Sequence, residues 1–436
     1  MSRLLTSATP RHLARTRTLM TTTSFTPTQL SIRHSILSLC RTKFPNSYWR
    51  EADQTSSDPT SFHAAIASAG FLGIALPESY GGAGLGISEA TMMMQSIAES
   101  GAGMAGAQAI HANVYATQPL LKFASEEMKS EVLPRIVDGS ERVCFGVTEP
   151  GAGLDTMSLR TTAVRQMGED GEEVYRISGQ KVWTTCAHVA DRIILLARTS
   201  PREAVSKPSA ALSLFCIPLD RTQEGLTMRR IPKMGGRAVD AAEVFFTDYT
   251  AHASCLIGGV EGKGWEIVTH GMNAERCLLA GEALGLGYAA LERAASYAKE
   301  REVFGRPIGK NQGIAHPLAE AWIRLEAAKL ATYHAARMYD ESTASEASSA
   351  VGQQDVDAPT QKEVGVAANS AKYLAAEVAF AACERAVLTH GGMGYAVEYD
   401  VERWFRESLV PRIAPVSREM ILNFVGEKVL GLPRSY

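Results

Sequence analysis

The chain has 436 residues, 45% of them hydrophobic and 21% charged, and a formal charge of −3 at pH 7. A chain of this length buries a core without disulfide or metal staples, so a small stapled scaffold is excluded. No run approaches the roughly 18 uninterrupted apolar residues of a membrane-spanning helix, and Lys and Arg are too scattered to form a face for nucleic acid. Seven cysteines (Cys40, Cys144, Cys186, Cys216, Cys255, Cys277 and Cys383) stand far apart with no CxxC pair. Neither a disulfide framework nor a metal site is expected, and a reducing compartment fits best.

Residues 1–26 carry Arg3, Arg11, Arg15 and Arg17 among many Ser and Thr, and no acidic residue precedes Glu51. This is the composition of a mitochondrial transit peptide, which makes the matrix the expected location and a start at Met20 the alternative. Peroxisome and cytoplasm are the other compartments considered; the ending Pro433-Arg434-Ser435-Tyr436 is not of the SKL type.

From 27 to 142 apolar residues recur every three or four positions, as in LSIRHSILSLC and EATMMMQSIAES, which predicts helices. They are interrupted by the turn Pro77–Gly86, whose glycines lead to a helix beginning near Ser88 as a plausible cap. Met92, Met93 and Met94 read as core filler. Between 143 and 262 the pattern changes to short β-branched and aromatic runs separated by Gly, Asp and Pro, a β domain without helical crossovers. No GxGxxG follows a strand and opens a helix, so a Rossmann nucleotide site has no support. From 263 to 436 four long amphipathic segments can close as an antiparallel bundle. The polar stretch at about 341–360 reads as an exposed loop insertion. The order is helical, β, helical: an α+β multidomain chain.

The strongest local signal is Val147-Thr148-Glu149-Pro150-Gly151-Ala152-Gly153-Leu154-Asp155, a Gly-rich turn that bares backbone N–H groups beside a hydroxyl. Lys181-Val182-Trp183-Thr184-Thr185, Arg301 to Ile308, Gln312 and His390-Gly391-Gly392-Met393-Gly394-Tyr395 follow at set intervals. Together with the Pro77–Gly86 turn, Gly236-Arg237-Ala238 and Tyr399–Arg403, these motifs match in order and spacing the fingerprints of the acyl-CoA dehydrogenase family. The chain resembles that flavoprotein family from about Pro77 to Tyr436.

The resemblance implies a helical N-terminal domain, a β-barrel-like middle domain and a C-terminal four-helix bundle. It also implies FAD-dependent oxidation of the Cα–Cβ bond of an acyl-CoA thioester: a base takes the α-proton, a hydride leaves Cβ for FAD, and electrons go on to electron-transferring flavoprotein. Phe145, Val147, Thr148, Trp183 and Thr185 look like contacts of the flavin ring. Arg301, Phe304 and Gln312 look like FAD contacts made across a subunit boundary, which implies a homotetramer or homodimer. Gly391 and Gly392 resemble the dinucleotide-binding glycines, and Ser417 keeps a hydroxyl near the flavin. Gly153, Leu154 and Arg276 match positions on the substrate side, Arg276 toward CoA.

The base departs from the commoner family pattern. Register from Tyr399 puts Pro415 where many members have Glu, with Val416 in place of Gly, and proline accepts no proton. A minority of the family, including isovaleryl-CoA and long-chain dehydrogenases, carries the base on the first helix of the C-terminal domain in an E-R-x-x-x-A-G context. Ala274-Glu275-Arg276-Cys277-Leu278-Leu279-Ala280-Gly281 matches it, which makes Glu275 the expected base and Glu419 the reserve. Leu154 in place of Ser and Leu388 in place of Gln are further departures. Other readings of the same scaffold are an acyl-CoA oxidase, a desaturase of a CoA-linked secondary metabolite, and a flavin-holding stress or nucleic-acid-associated protein without dehydrogenase activity.

Overall fold

The computed structural model describes residues 19–350 and 357–435. The basic leader expected at the N-terminus lies, over 1–18, outside the described residues. Its last part does not: Trp322 Nε1 donates to Leu19 O at 2.8 Å, the Lys329 ammonium donates to Thr21 O at 2.7 Å, and Met20 is buried. The packed chain thus begins before the first helix, where the sequence alone shows only a basic, hydroxyl-rich stretch.

Thr26 opens α1 (Pro27–Lys43) with a capping box: its hydroxyl accepts from Gln29 N, the Gln29 side chain accepts from Thr26 N, and proline fills the first helical position. Then come α2 (Asn46–Thr55), α3 (Thr60–Ser68), α4 (Ile87–Ile97), a π-helical turn (Ala98–Ala102), α5 (Gly103–Tyr115), α6 (Thr117–Phe123) and α7 (Glu126–Asp138). The cap of α4 is Gly86 rather than Ser88. Its first amides, Ile87 N and Ser88 N, donate to the Asp340 carboxylate at 2.7 and 3.0 Å, and a Cβ on Gly86 would strike that carboxylate. Sequence alone could not show a cap that comes from 252 residues away.

The middle domain is one curled seven-stranded sheet of β1 (Val143–Gly146), β2 (Thr162–Met167), β3 (Glu173–Thr185), β4 (Arg192–Arg198), β5 (Leu212–Pro218), β6 (Leu226–Arg230) and β7 (Ala241–His252). Strand order is β1-β4-β2-β3-β7-β6 with β5 on the free side of β4; β1 runs parallel to β4 and the hairpin pairs are antiparallel. Alternation on β4 explains why it is apolar throughout. Ile194 and Leu196 join the core shared with the helices, whereas Ile193, Leu195 and Ala197 join the core inside the curled sheet.

The C-terminal domain comprises α8 (Gly264–Glu300), the hairpin β8 (Glu302–Val303) and β9 (Arg306–Pro307), α9 (Gln312–Ala350), α10 (Gln361–His390), α11 (Val401–Glu407), α12 (Val410–Ile413) and α13 (Arg418–Lys428). Two expectations change. The predicted loop at 341–360 is helical up to Ala350, because the stretch carries the helix formers Ala and Glu and meets no Gly before Gly352. The fourth bundle member is short, α13, with α11 and α12 before it. Among the described residues no helix is long and apolar enough to cross a membrane.

The long helix α8 lies against α4 and the π-helical turn at Gly281 and Gly285. A Cβ on Gly285 would stand 2.1 Å from Gln95 O, and one on Gly281 would stand 2.8 Å from Thr91 O. Gly285→Ala should therefore force the two helices apart at a cost of about 1–3 kcal/mol; a denaturant midpoint unchanged from wild type would refute this contact.

Candidate active site

The turn after β1 is pinned from below by a buried ion pair. The Lys181 ammonium donates to Glu149 Oε1 at 2.8 Å and to Val147 O at 3.1 Å, while the Glu149 carboxylate also accepts from Arg160 N (2.6 Å) and Thr161 N (2.9 Å). Burial pushes the Lys181 ammonium down to about 8 against the pull of Glu149. Burial would raise the Glu149 carboxyl, but Lys181 and the two amides hold it below its ordinary range. Val182 N donates to Thr148 O at 2.9 Å, which ties the strand bearing Trp183 and Thr185 to the turn. Trp183 takes a left-handed φ of 62° and is 57% exposed, while Phe145, Val147, Thr148 and Thr185 are half-buried around it.

This ledge fits a flat, hydrogen-bonding ring: an indole wall, two hydroxyls and free backbone. A Cβ on Gly151 or Gly153 would meet nothing within 4 Å, which leaves room for a ligand against the main chain, and Leu154 is exposed beside them. Gly391 and Gly392 leave the same open space at the end of α10. Among the residues expected to hold FAD, the ledge and the two pairs of glycines thus leave the space, and supply the hydroxyls and aromatic wall, that a bound flavin would need.

Glu275 sits on α8 behind this ledge, within a cluster contributed by four elements. His111 and Tyr115, one turn apart on α5, face it; the Tyr115 ring lies 4.9 Å from the His111 ring and 5.4 Å from that of Phe145 on β1. His111 Nε2 stands 3.8 Å from Glu275 Oε1. Burial and the Glu275 charge push the Tyr115 phenol well above its ordinary value, so it stays a donor. Arg276 turns back on Asn273 at 3.0 Å, and burial lowers its guanidinium pKa while its Nε finds no protein partner. Lys372 on α10 is buried, donates to Val416 O at 2.5 Å, and is pushed down to about 8 by burial and by Arg276.

The other candidates for the base fare differently. Glu419 is exposed on the first turn of α13 and pairs with Arg418 at 3.3 Å. Pro415 offers no acceptor side chain. Ser417 is the cap of α13, where its hydroxyl accepts from Met420 N at 3.3 Å. Arg301, Phe304 and Gln312 are not brought to this cluster within one chain. They lie exposed beyond the far end of α8, Phe304 99% so, roughly 40 Å along the axis from Glu275 at the helical rise. Gly391 and Gly392 share that end, because His390 stacks on Tyr297 at 4.2 Å. Among the described residues no group of three or more His, Cys, Asp or Glu could hold a metal ion.

Sequence reasoning missed His111, Tyr115, Glu282 and Lys372. The available signal was spacing. Glu275 and Glu282 stand two turns apart on an otherwise Ala-, Leu- and Gly-rich helix, and His111 and Tyr115 share one face of theirs. The buried pair beneath the ledge gives a direct prediction. Lys181→Met leaves Glu149 buried without its cation and should destabilise the protein by about 3–5 kcal/mol. A melting temperature and flavin content equal to wild type would show that the pair does not hold the turn.

Three stretches of the chain match acyl-CoA dehydrogenase domains: residues 26–140 the N-terminal domain, 144–249 the middle domain and 262–430 the C-terminal domain. The acyl-CoA dehydrogenase FadE12 of Mycobacterium tuberculosis is 34% identical over 422 residues, 96% of this chain and 100% of the relative. The caffeyl-CoA reductase-Etf complex subunit CarC of Acetobacterium woodii is 31% identical over 83% of this chain and 87% of its own length. Butyryl-CoA dehydrogenase from Megasphaera elsdenii superposes with a TM-score of 0.79 at 28% identity, covering 94% of this chain and all of that structure. With the helical, curled-sheet and helical-bundle domains in that order and the ledge intact, the chain belongs to the acyl-CoA dehydrogenase family, whose members are FAD-dependent oxidoreductases.

Proposed function

We propose that the protein oxidises an acyl-CoA thioester to its trans-2-enoyl-CoA, with Glu275 as the base. The observation that carries this is the contrast between carboxylates. Glu275 is largely withdrawn from water and grouped with Tyr115 and Phe145 next to the ledge, whereas Glu419 is solvated and paired with Arg418. Removal of the α-proton by Glu275 and departure of a hydride from Cβ convert the single bond into a double bond. Bound FAD would supply the hydride acceptor. Phe145, Val147, Thr148, Trp183, Thr185 and Ser417 would hold its ring. Gly153 and Leu154 would border the thioester, and Arg276 would turn toward CoA.

Arg301, Phe304 and Gln312 would reach the FAD of a second copy in a homodimer or homotetramer; their exposure far from Glu275 supports this. Electron-transferring flavoprotein is the proposed acceptor, supported by the relative whose name places it in a reductase-Etf complex. The basic, acid-free leader supports the mitochondrial matrix as its location.

Glu275→Gln should keep the yellow flavin spectrum and slow anaerobic flavin reduction by acyl-CoA by about 10²–10⁴-fold, the contribution expected of a positioned base. Glu419→Gln should leave that rate unchanged. Wild-type reduction in Glu275→Gln would overturn the assignment.

A further inference from the structure

The cluster behind the ledge contains a second carboxylate that the reaction does not use. Glu282, two turns along α8 from Glu275, is completely buried, and its Oε2 has no protein partner. Its Oε1 lies 2.5 Å from His111 Nδ1, and the opposite nitrogen of the same ring, Nε2, points to Glu275 at 3.8 Å. We propose that His111 is a positioning residue for Glu275: clamped by Glu282, its imidazolium sets a positive charge beside the Glu275 carboxylate and fixes it in place, ready to take a proton. This rests on Glu275 being the base.

The donor count carries the argument. An ionised carboxylate only accepts, and a neutral imidazole has a single N–H. A ring hydrogen-bonded to Glu282 through Nδ1 and within ion-pair range of Glu275 at Nε2 matches both carboxylates only when both nitrogens are protonated. It also cannot rotate without releasing Glu282, which has no other ion-pair partner among the described residues. Burial by itself would strip the charge from His111, but Glu282, with help from Glu275, pushes the imidazolium up to about 10. The other groups facing Glu275 are Tyr115, kept protonated by burial, together with Arg276 and Lys372. Lys372, at about 8, remains charged throughout the acid range. In that range, therefore, His111 and Glu275 are the pair to be read.

The test is the pH profile of anaerobic flavin reduction by acyl-CoA in the FAD-loaded protein, compared between wild type, His111→Gln and Glu282→Gln. An opposite charge at this distance lowers a carboxyl pKa by about 1–3 units. His111→Gln should therefore move the acid limb up by at least one pH unit, so that the rate at a pH well down that limb falls about tenfold or more while the alkaline plateau and KM change little. Glu282→Gln should move it in the same direction by less. A second readout is independent of turnover. His111 has a raised folded-state pKa, so its ion pair stabilises fully below about 6.5 and is lost as pH rises toward about 10. The deficit in melting temperature of His111→Gln should accordingly shrink from pH 6 to pH 10.

If His111→Gln does not retain FAD, the Glu282→Gln profile decides. An acid limb that stays in place in every variant that holds FAD would overturn the proposal. Should Glu275→Gln meanwhile remain inactive, the base assignment survives that result; should Glu275→Gln reduce flavin normally, the base assignment itself has failed.

Discussion

The architecture depends on how closely α8 can lie against α4. At Gly281 and Gly285 the two backbones come within a distance that leaves no room for a methyl group. Because α8 is one continuous helix from Gly264 to Glu300, that contact fixes everything along it. Glu275 is delivered to the ledge formed by the middle domain, and Arg301 is carried to the opposite end, where it faces outward. One close contact thus sets Glu275, the base we propose, toward one end of α8 and Arg301, exposed, at the other; the same helix serves both ends.

The helix that answers α8 across the site is held by charge. The amides of Met104 and Ala105, at the start of α5, donate to the buried Glu407 carboxylate, and Arg403 donates to Gly101 O at 2.9 Å just before them. Both partners come from α11, so the C-terminal domain positions the helix bearing His111 and Tyr115. The same device recurs beneath the ledge in Lys181 and Glu149. Buried ion pairs add little net stability, since desolvation opposes their attraction, but breaking one is costly. Here each sits where a backbone turn or helix end must take a single position.

Much of this was legible in the sequence. Periodicity marked the helical, β and helical regions, and the turn from Val147 to Asp155 stood out by its glycines. Pro415 offered no acceptor where many family members have Glu, and Glu275 stood out as the alternative that we propose. What was not legible depends on residues distant in sequence. Asp340 caps α4 across most of the chain, and Thr21 and Leu19 find partners on α9. His111 gains meaning only when α5 meets α8 and sets it between two carboxylates. The stretch before Ala350 was misread because polarity suggested a loop, whereas its Ala and Glu content permits a helix that contacts its neighbours: Glu346 pairs with Lys122 at 2.5 Å.

The most direct measurement is the visible spectrum of the FAD-loaded protein during anaerobic addition of a panel of acyl-CoAs, with the product identified by mass. The account predicts that one class of acyl-CoA bleaches the flavin and yields an equivalent of the trans-2-enoyl-CoA. A protein that holds FAD but is bleached by none of them would contradict it.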